Sequence, residues 1–204
     1  GEIRIGASDM TLKYFLLPHL EAFHKSYPKV RIKVTNGPSP ETINSLKKGI
    51  IDFGVVSLPL YDKTGVNIVE VMEIQDCFVA NDKFNNLAGR KVKISELADF
   101  PVIMLEKNTS TRRYMDNFLS SQSVSLIPEI ELATSDLIVQ FAKHGLGISC
   151  VVKNFVEDDL KNGCLFEIDL EESIPSRKIG IVTLDNVPLS FAASKFISIM
   201  ERSI

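Results

Sequence analysis

Three clusters of hydroxyl and amide side chains fall where a strand gives way to a helix. Ser8 and Thr11 follow the alternating residues 3–7. Asn108, Thr109, Ser110 and Thr111 follow the apolar run 102–105, and Thr134 and Ser135 follow Ile130 and Leu132. A helix start leaves backbone N–H groups without intrahelical partners, and the helix dipole favours negative charge there. Hydroxyls beside such groups suit the recognition of a carboxylate, sulfate or phosphate. The chemistry on offer is therefore binding of a small molecule, preferably an anion. The loop Asn36-Gly37 ends a further strand and is read as the rim of the same kind of site. Ser57 and Leu58 end another and are read, like Thr134 and Ser135, as ligand contacts, with Met10 inside the first turn.

Catalysis finds no comparable constellation. There is no G-x-S-x-G elbow, no HExxH, no CxxC and no phosphate-binding loop. His19 and His24 are five residues apart, the wrong spacing for one helical face. His144 sits where a helix should end, a place that favours partial positive charge without further purpose. Asp158 and Asp159 read as solvated. The reading assigns no catalytic residue, no metal ligand and no cofactor.

The elements that must hold these clusters have α/β grammar. Leu16, Leu20, Phe23 and Tyr27 recur at spacings of four, three and four, which marks one face of a helix closed by Pro28. Val30, Ile32 and Val34 alternate as a strand. Ser39 and Pro40 form a helix start, with Ser39 as N-cap and Ile43, Leu46 and Ile50 on the buried side. Gly49 serves as its C-terminal cap. Residues 51–56 and 148–152 are nearly continuous apolar runs, as parallel strands covered on both faces should be. Met115, Phe118 and Leu119 mark the buried side of the helix after residue 111. The next helix, started by Thr134-Ser135-Asp136, runs through Leu137, Ile138, Phe141 and Ala142 and ends at His144-Gly145. A β-prone stretch over 66–80 separates two halves. A strand over 179–184 and a helix over 188–200 close the chain. In open α/β sheets, ligands settle beyond the carboxyl ends of the strands, where all three clusters lie.

Composition narrows the class. The 204 residues are 45% hydrophobic, enough for one large domain or two lobes. A formal charge of −3 with a pI near 5.7 leaves no overall footprint for nucleic acid. The pairs Lys47-Lys48 and Arg112-Arg113 are read as solvated helix faces, although one arginine of the second pair is placed to reach an acid. Three unevenly spaced cysteines, Cys77, Cys150 and Cys164, each with apolar neighbours, are read as small buried hydrophobes of a reducing compartment. No apolar run approaches the ~20 residues of a membrane span. The abrupt opening on a strand reads as a domain cut from something longer.

Four segments together are similar to one family. Leu16-Leu17-Pro18, Leu20, Phe23, Tyr27 and Pro28 match LLPxLxxFxxxYP, preceded by IxIGAS over residues 3–8. Residues 49–56 (GIIDFGVV) resemble the glycine, aspartate and apolar pattern that opens a strand of that family. Residues 97–103 (LADFPVI) and 139–148, ending GLGI, resemble its LADxPLI and VAAGLGI segments. Their order spans the chain and resembles the effector-binding domain of LysR-type transcriptional regulators. Val152 departs from the family, which often has proline there.

The resemblance implies a type 2 periplasmic-binding-protein fold: two Rossmann-like lobes joined by two crossing strands, with effector in the cleft between them. Lobe one would be residues 1–72 plus 179–204 and lobe two 73–178. The clusters at Ser8 and Thr109 would then approach one anionic metabolite from opposite sides. It further implies a homodimer, with a tetramer open to the full-length protein, and DNA binding only through an N-terminal winged helix-turn-helix absent from these residues. A cytoplasmic, non-enzymatic, membrane-free regulator follows. A transporter's solute-binding protein of the same fold is the alternative.

Overall fold

The computed structural model describes residues 1–203. Strand β1 (Glu2–Ala7) leads into a helical run that begins as α1 (Asp9–Thr11), widens to a π-helical stretch (Leu12–Leu16) and continues as α2 (Leu17–Ser26). There follow β2 (Arg31–Asn36), α3 (Ser39–Lys47), β3 (Phe53–Ser57), β4 (Val66–Ile74), β5 (Asp76–Ala80), β6 (Lys91–Val92) and β7 (Val102–Leu105). Next come α4 (Ser110–Ser121), β8 (Ile130–Leu132), α5 (Ser135–Lys143), β9 (Ile148–Val152) and α6 (Glu157–Lys161). The chain ends through β10 (Phe166–Glu167), β11 (Asp169–Leu170), β12 (Arg177–Leu184) and α7 (Phe191–Glu201).

The chain divides into two compact units, residues 1–73 with 177 onward, and residues 74–176. Unit 1 holds a five-stranded sheet in the order β2-β1-β3-β12-β4. Strands β2, β1 and β3 run parallel, with Ala7 opposite both Asn36 and Val55, and β12 returns antiparallel to β3. One side is sealed by aromatic rings. Phe196 of α7 meets Phe23 of α2 edge-on at 5.2 Å and stacks on Phe53 of β3 at 5.8 Å, and all three are fully buried. Leu46 of α3 packs with Ile51, Val56, Leu58 and Val182 in a second cluster. Helix α3 comes this close because Gly6 and Gly54 lack side chains: a Cβ on either would lie 2.9 or 2.7 Å from Thr42 Cγ2.

Several local expectations need correction here. Ser39 is the first helical residue and Pro38 the N-cap; the Ser39 hydroxyl instead accepts from the Ser57 N–H at 3.4 Å. Ile50 is 52% exposed, because Gly49 takes φ +72° and turns the chain outward; Ile51 takes the core position. Gly49 does close α3, with its N–H on Leu46 O and the Ile50 N–H on Ser45 O, the paired bonds of a Schellman cap. The π-helical stretch lies just before Pro18. A proline ring inside a helix crowds the carbonyl four residues back, and a wider turn relieves that crowding. The Leu17 N–H accordingly bonds Leu12 O, five residues earlier.

Unit 2 holds a sheet in the order β10-β5-β9-β7-β8, with β9, β7 and β8 parallel and β5 antiparallel to β9. Phe78, Met104, Met115, Phe118, Ile148 and Cys150 build one core cluster. Cys77, Val79, Ile103, Ile138, Ala142 and Val151 build another. Cys164 is exposed, contrary to the expectation of burial; it follows Gly163, whose φ of +80° makes a turn at the surface. Asp159 is not simply solvated, since Lys143 pairs with it at 2.7 Å.

Ser149 is an anomaly of this sheet. It is fully buried between Val79 and Ile103, and its hydroxyl has no hydrogen-bond partner among the described residues. An orphaned hydroxyl forfeits its hydration, so Ser149→Ala should be neutral or stabilising by up to about 1 kcal/mol. Urea unfolding checks this; a loss beyond about 1 kcal/mol would mean the hydroxyl has a partner, such as a buried water.

Candidate functional site

The parallel strands of each unit end at a common edge, and the candidate residues gather there. In unit 1, Ser8 follows β1, Asn36 and Gly37 end β2, and Ser57 and Leu58 end β3. The Gly37 N–H extends the ladder to Ala7 O at 3.1 Å. Ser8 is the N-cap residue of the helical run, with extended backbone at φ −77° and ψ 163°. Its hydroxyl does not cap the helix but donates to Thr11 Oγ1 at 3.0 Å. The first-turn N–H groups therefore receive no side-chain cap from Ser8. Met10 and Thr11 are buried, so they support the turn from below, while Ser8 is half-buried and Asn36 exposed. Asn36 Nδ2 donates to Asp9 Oδ1, which ties the ends of β1 and β2 together.

In unit 2 the same arrangement recurs on β7 and β8, with Leu105 opposite Leu132. Asn108 is exposed in the turn after β7. Thr109 caps α4: its hydroxyl accepts from the Arg112 N–H at 3.2 Å and donates to Glu106 O at 2.8 Å. Ser110 and Thr111, both half-buried, begin the helix. Thr134 is the N-cap of α5, again without a side-chain cap, and Ser135 is its first residue. The structure thus gathers Ser8, Asn36, Gly37, Ser57 and Leu58 in one unit. It gathers Asn108 to Thr111, Thr134 and Ser135 in the other.

Arg112 does not lie on a solvated face; it is the arginine of its pair that reaches acids. Its side chain is 4% exposed. Nη1 donates to Leu105 O at 2.9 Å and to Glu131 Oε2 at 2.7 Å, and Nε to both Asp116 oxygens at 3.0 and 3.1 Å. Burial pulls its pKa down, but the bonds to Glu131 and Asp116 outweigh this and leave it above the ordinary arginine value. The i,i+4 spacing to Asp116 was the available signal. The arginine clamps the end of β7, the turn after it and the edge strand β8 into one piece.

Among the described residues no group of three or more His, Cys, Asp or Glu side chains could hold a metal ion. No helix there is long and apolar enough to cross a membrane.

Comparison with known proteins sets this geometry in context. The chain is 29% identical over 169 residues to YeiE, an HTH-type transcriptional regulator of Escherichia coli (strain K12), covering 82% of this chain and 57% of that protein. It therefore spans little more than half of that relative's length. The regulatory domain of CcmR from Synechocystis PCC6803, solved in complex with 2-PG, superposes with a TM-score of 0.89 at 22% identity, over 100% of this chain and 97% of that one. The effector binding domain of QuiR, in complex with shikimate, gives 0.87 at 16% identity, over 100% and 96%. These likenesses establish the type 2 periplasmic-binding-protein fold. Residues 1–203 match the model of the LysR substrate binding domain, and the chain belongs to that family.

Proposed function

We propose that this chain is the ligand-sensing and self-associating part of a bacterial LysR-type transcription factor, and that it takes a small anionic metabolite at the strand-end turns of its two units. The observation that carries the reading is the turn at Ser8, where a serine at the N-cap of a helical run leaves the first-turn N–H groups uncapped. Unit 1 would offer Ser8, Asn36, Gly37 and Ser57; unit 2 would offer the turn at Asn108 to Thr111 with Thr134 and Ser135. Met10 and Thr11 would shape the first turn rather than bond the ligand, and Leu58, packed with Leu46 and Val182, would brace the end of β3. The protein would act in the cytoplasm, without catalysis, and reach DNA through parts of the regulator outside this chain. Effector shifts the balance between two arrangements only by its differential affinity for them.

A thermal-shift screen of small metabolite acids tests this, because binding raises apparent stability by mass action. With a ligand in hand, Ser8→Ala should weaken binding roughly 10- to 150-fold, the range for one hydrogen bond to a charged partner. Unchanged affinity by calorimetry would move the ligand elsewhere. Thr109→Ala is less clean, since it also removes a helix cap worth about 1 kcal/mol.

Self-association is assigned to the outer face of α2, where Glu21, Ala22 and Lys25 are exposed and Leu17 is 57% exposed. A dimer is expected in sedimentation at micromolar concentration. A 22.7 kDa species alone, even in concentrated samples, would contradict it.

A further inference from the structure

A pocket of about 420 Å³ opens on unit 2 beside α4, lined by none of the strand-end residues proposed to hold the effector. That is the size of small-ligand sites, which pair an apolar floor with a few polar groups. Leu119 and Leu126, both buried, form the floor with half-buried Val124, and Ile127, 86% exposed, stands at the rim.

Two cationic groups line it with donors to spare. Arg112 uses Nε and Nη1 on its neighbours, while Nη2 makes no hydrogen bond among the described residues. The Lys107 ammonium, exposed at the mouth, makes no ion pair or hydrogen bond among them either. Asp116 and Glu131 also line the pocket, and both are held by Arg112. Their presence sets a limit on charge. A dianion would face two carboxylates, whereas a single carboxylate can be met by the two cations of the lining, Arg112 and Lys107. We propose that this pocket is a second ligand site, for a monocarboxylate carrying an apolar body.

Titration of ¹⁵N-labelled chain with octanoate, hexanoate and inorganic phosphate decides it. Octanoate should shift the amides of Lys107 and of residues 119–128 saturably at millimolar concentration. It should bind about tenfold tighter than hexanoate, the effect of two further buried methylenes. Phosphate should leave these amides unmoved. Lys107→Ala should weaken octanoate about two- to fivefold, the modest effect of an exposed ion pair. Ile127→Asp changes an exposed residue, leaves the core intact and should abolish binding. Ser8→Ala should change nothing, so the outcome is independent of the effector reading. No saturable shift with octanoate, equal shifts with phosphate, or full affinity in Ile127→Asp would each overturn the proposal.

Discussion

Phe196→Ala is expected to destabilise the chain by about 3–5 kcal/mol, the range for truncating a buried aromatic. The ring is fully enclosed and is the shared partner of Phe23 and Phe53, so its loss removes two aromatic contacts and leaves a cavity between α7, α2 and β3. Neighbours can close such a gap only in part, because interiors are packed to crystal-like density. Phe196→Leu should recover part of the loss by refilling volume. Urea unfolding followed by circular dichroism measures both. A penalty below about 1 kcal/mol for the alanine variant would mean that α7 is not anchored through this ring.

Arg112→Met is expected to cost about 2–3 kcal/mol, most of it from charge-assisted bonds lost in a buried place. Leu105 O, at a residue only 8% exposed, would lose the guanidinium as a donor. Asp116 and Glu131 are roughly half solvated, with side chains 44% and 40% exposed, so their release should add little. Arg112→Lys keeps the charge but loses the planar fork, and should recover only a minority of the stability. Equal stability of the lysine variant and the wild type would reduce the clamp to simple charge balance. Wild-type stability in the methionine variant would remove the clamp altogether.

How much of this was legible in the sequence depends on how far each residue's partners lie along the chain. Strands β7 and β9 have the expected bounds, because an apolar run flanked by turn residues defines itself locally. The β-prone stretch over 66–80 holds two strands, β4 and β5, with a break at Gln75 that its composition does not mark. The Gln75 N–H goes to Asn154 and its amide to Asp76 O and Ile174 O; two of these partners are 79 and 99 residues away. No local pattern encodes that. The site followed the same division. Serines and threonines between strand and helix flagged the turns at Ser8, Thr109 and Thr134. The Asp9 to Asn36 tie and the Glu131 anchor depend on which strands lie side by side. Cys164 has a buried neighbour in Leu165, yet Gly163 turns the chain outward and leaves the thiol exposed, which no local apolar pattern reveals.

The cysteines provide a built-in reporter. All three belong to unit 2. Cys77 and Cys150 are buried in different core clusters, while Cys164 is exposed. Burial also pushes the Cys77 thiol well above its usual range, which starves it of reactive thiolate. A thiol reagent should therefore modify the native chain once, at Cys164. The appearance of a second and third modification would time the opening of unit 2 while unit 1, which has no cysteine, stays silent. The chain thus carries a clock for the unfolding of one half of itself, readable by mass without any engineered probe.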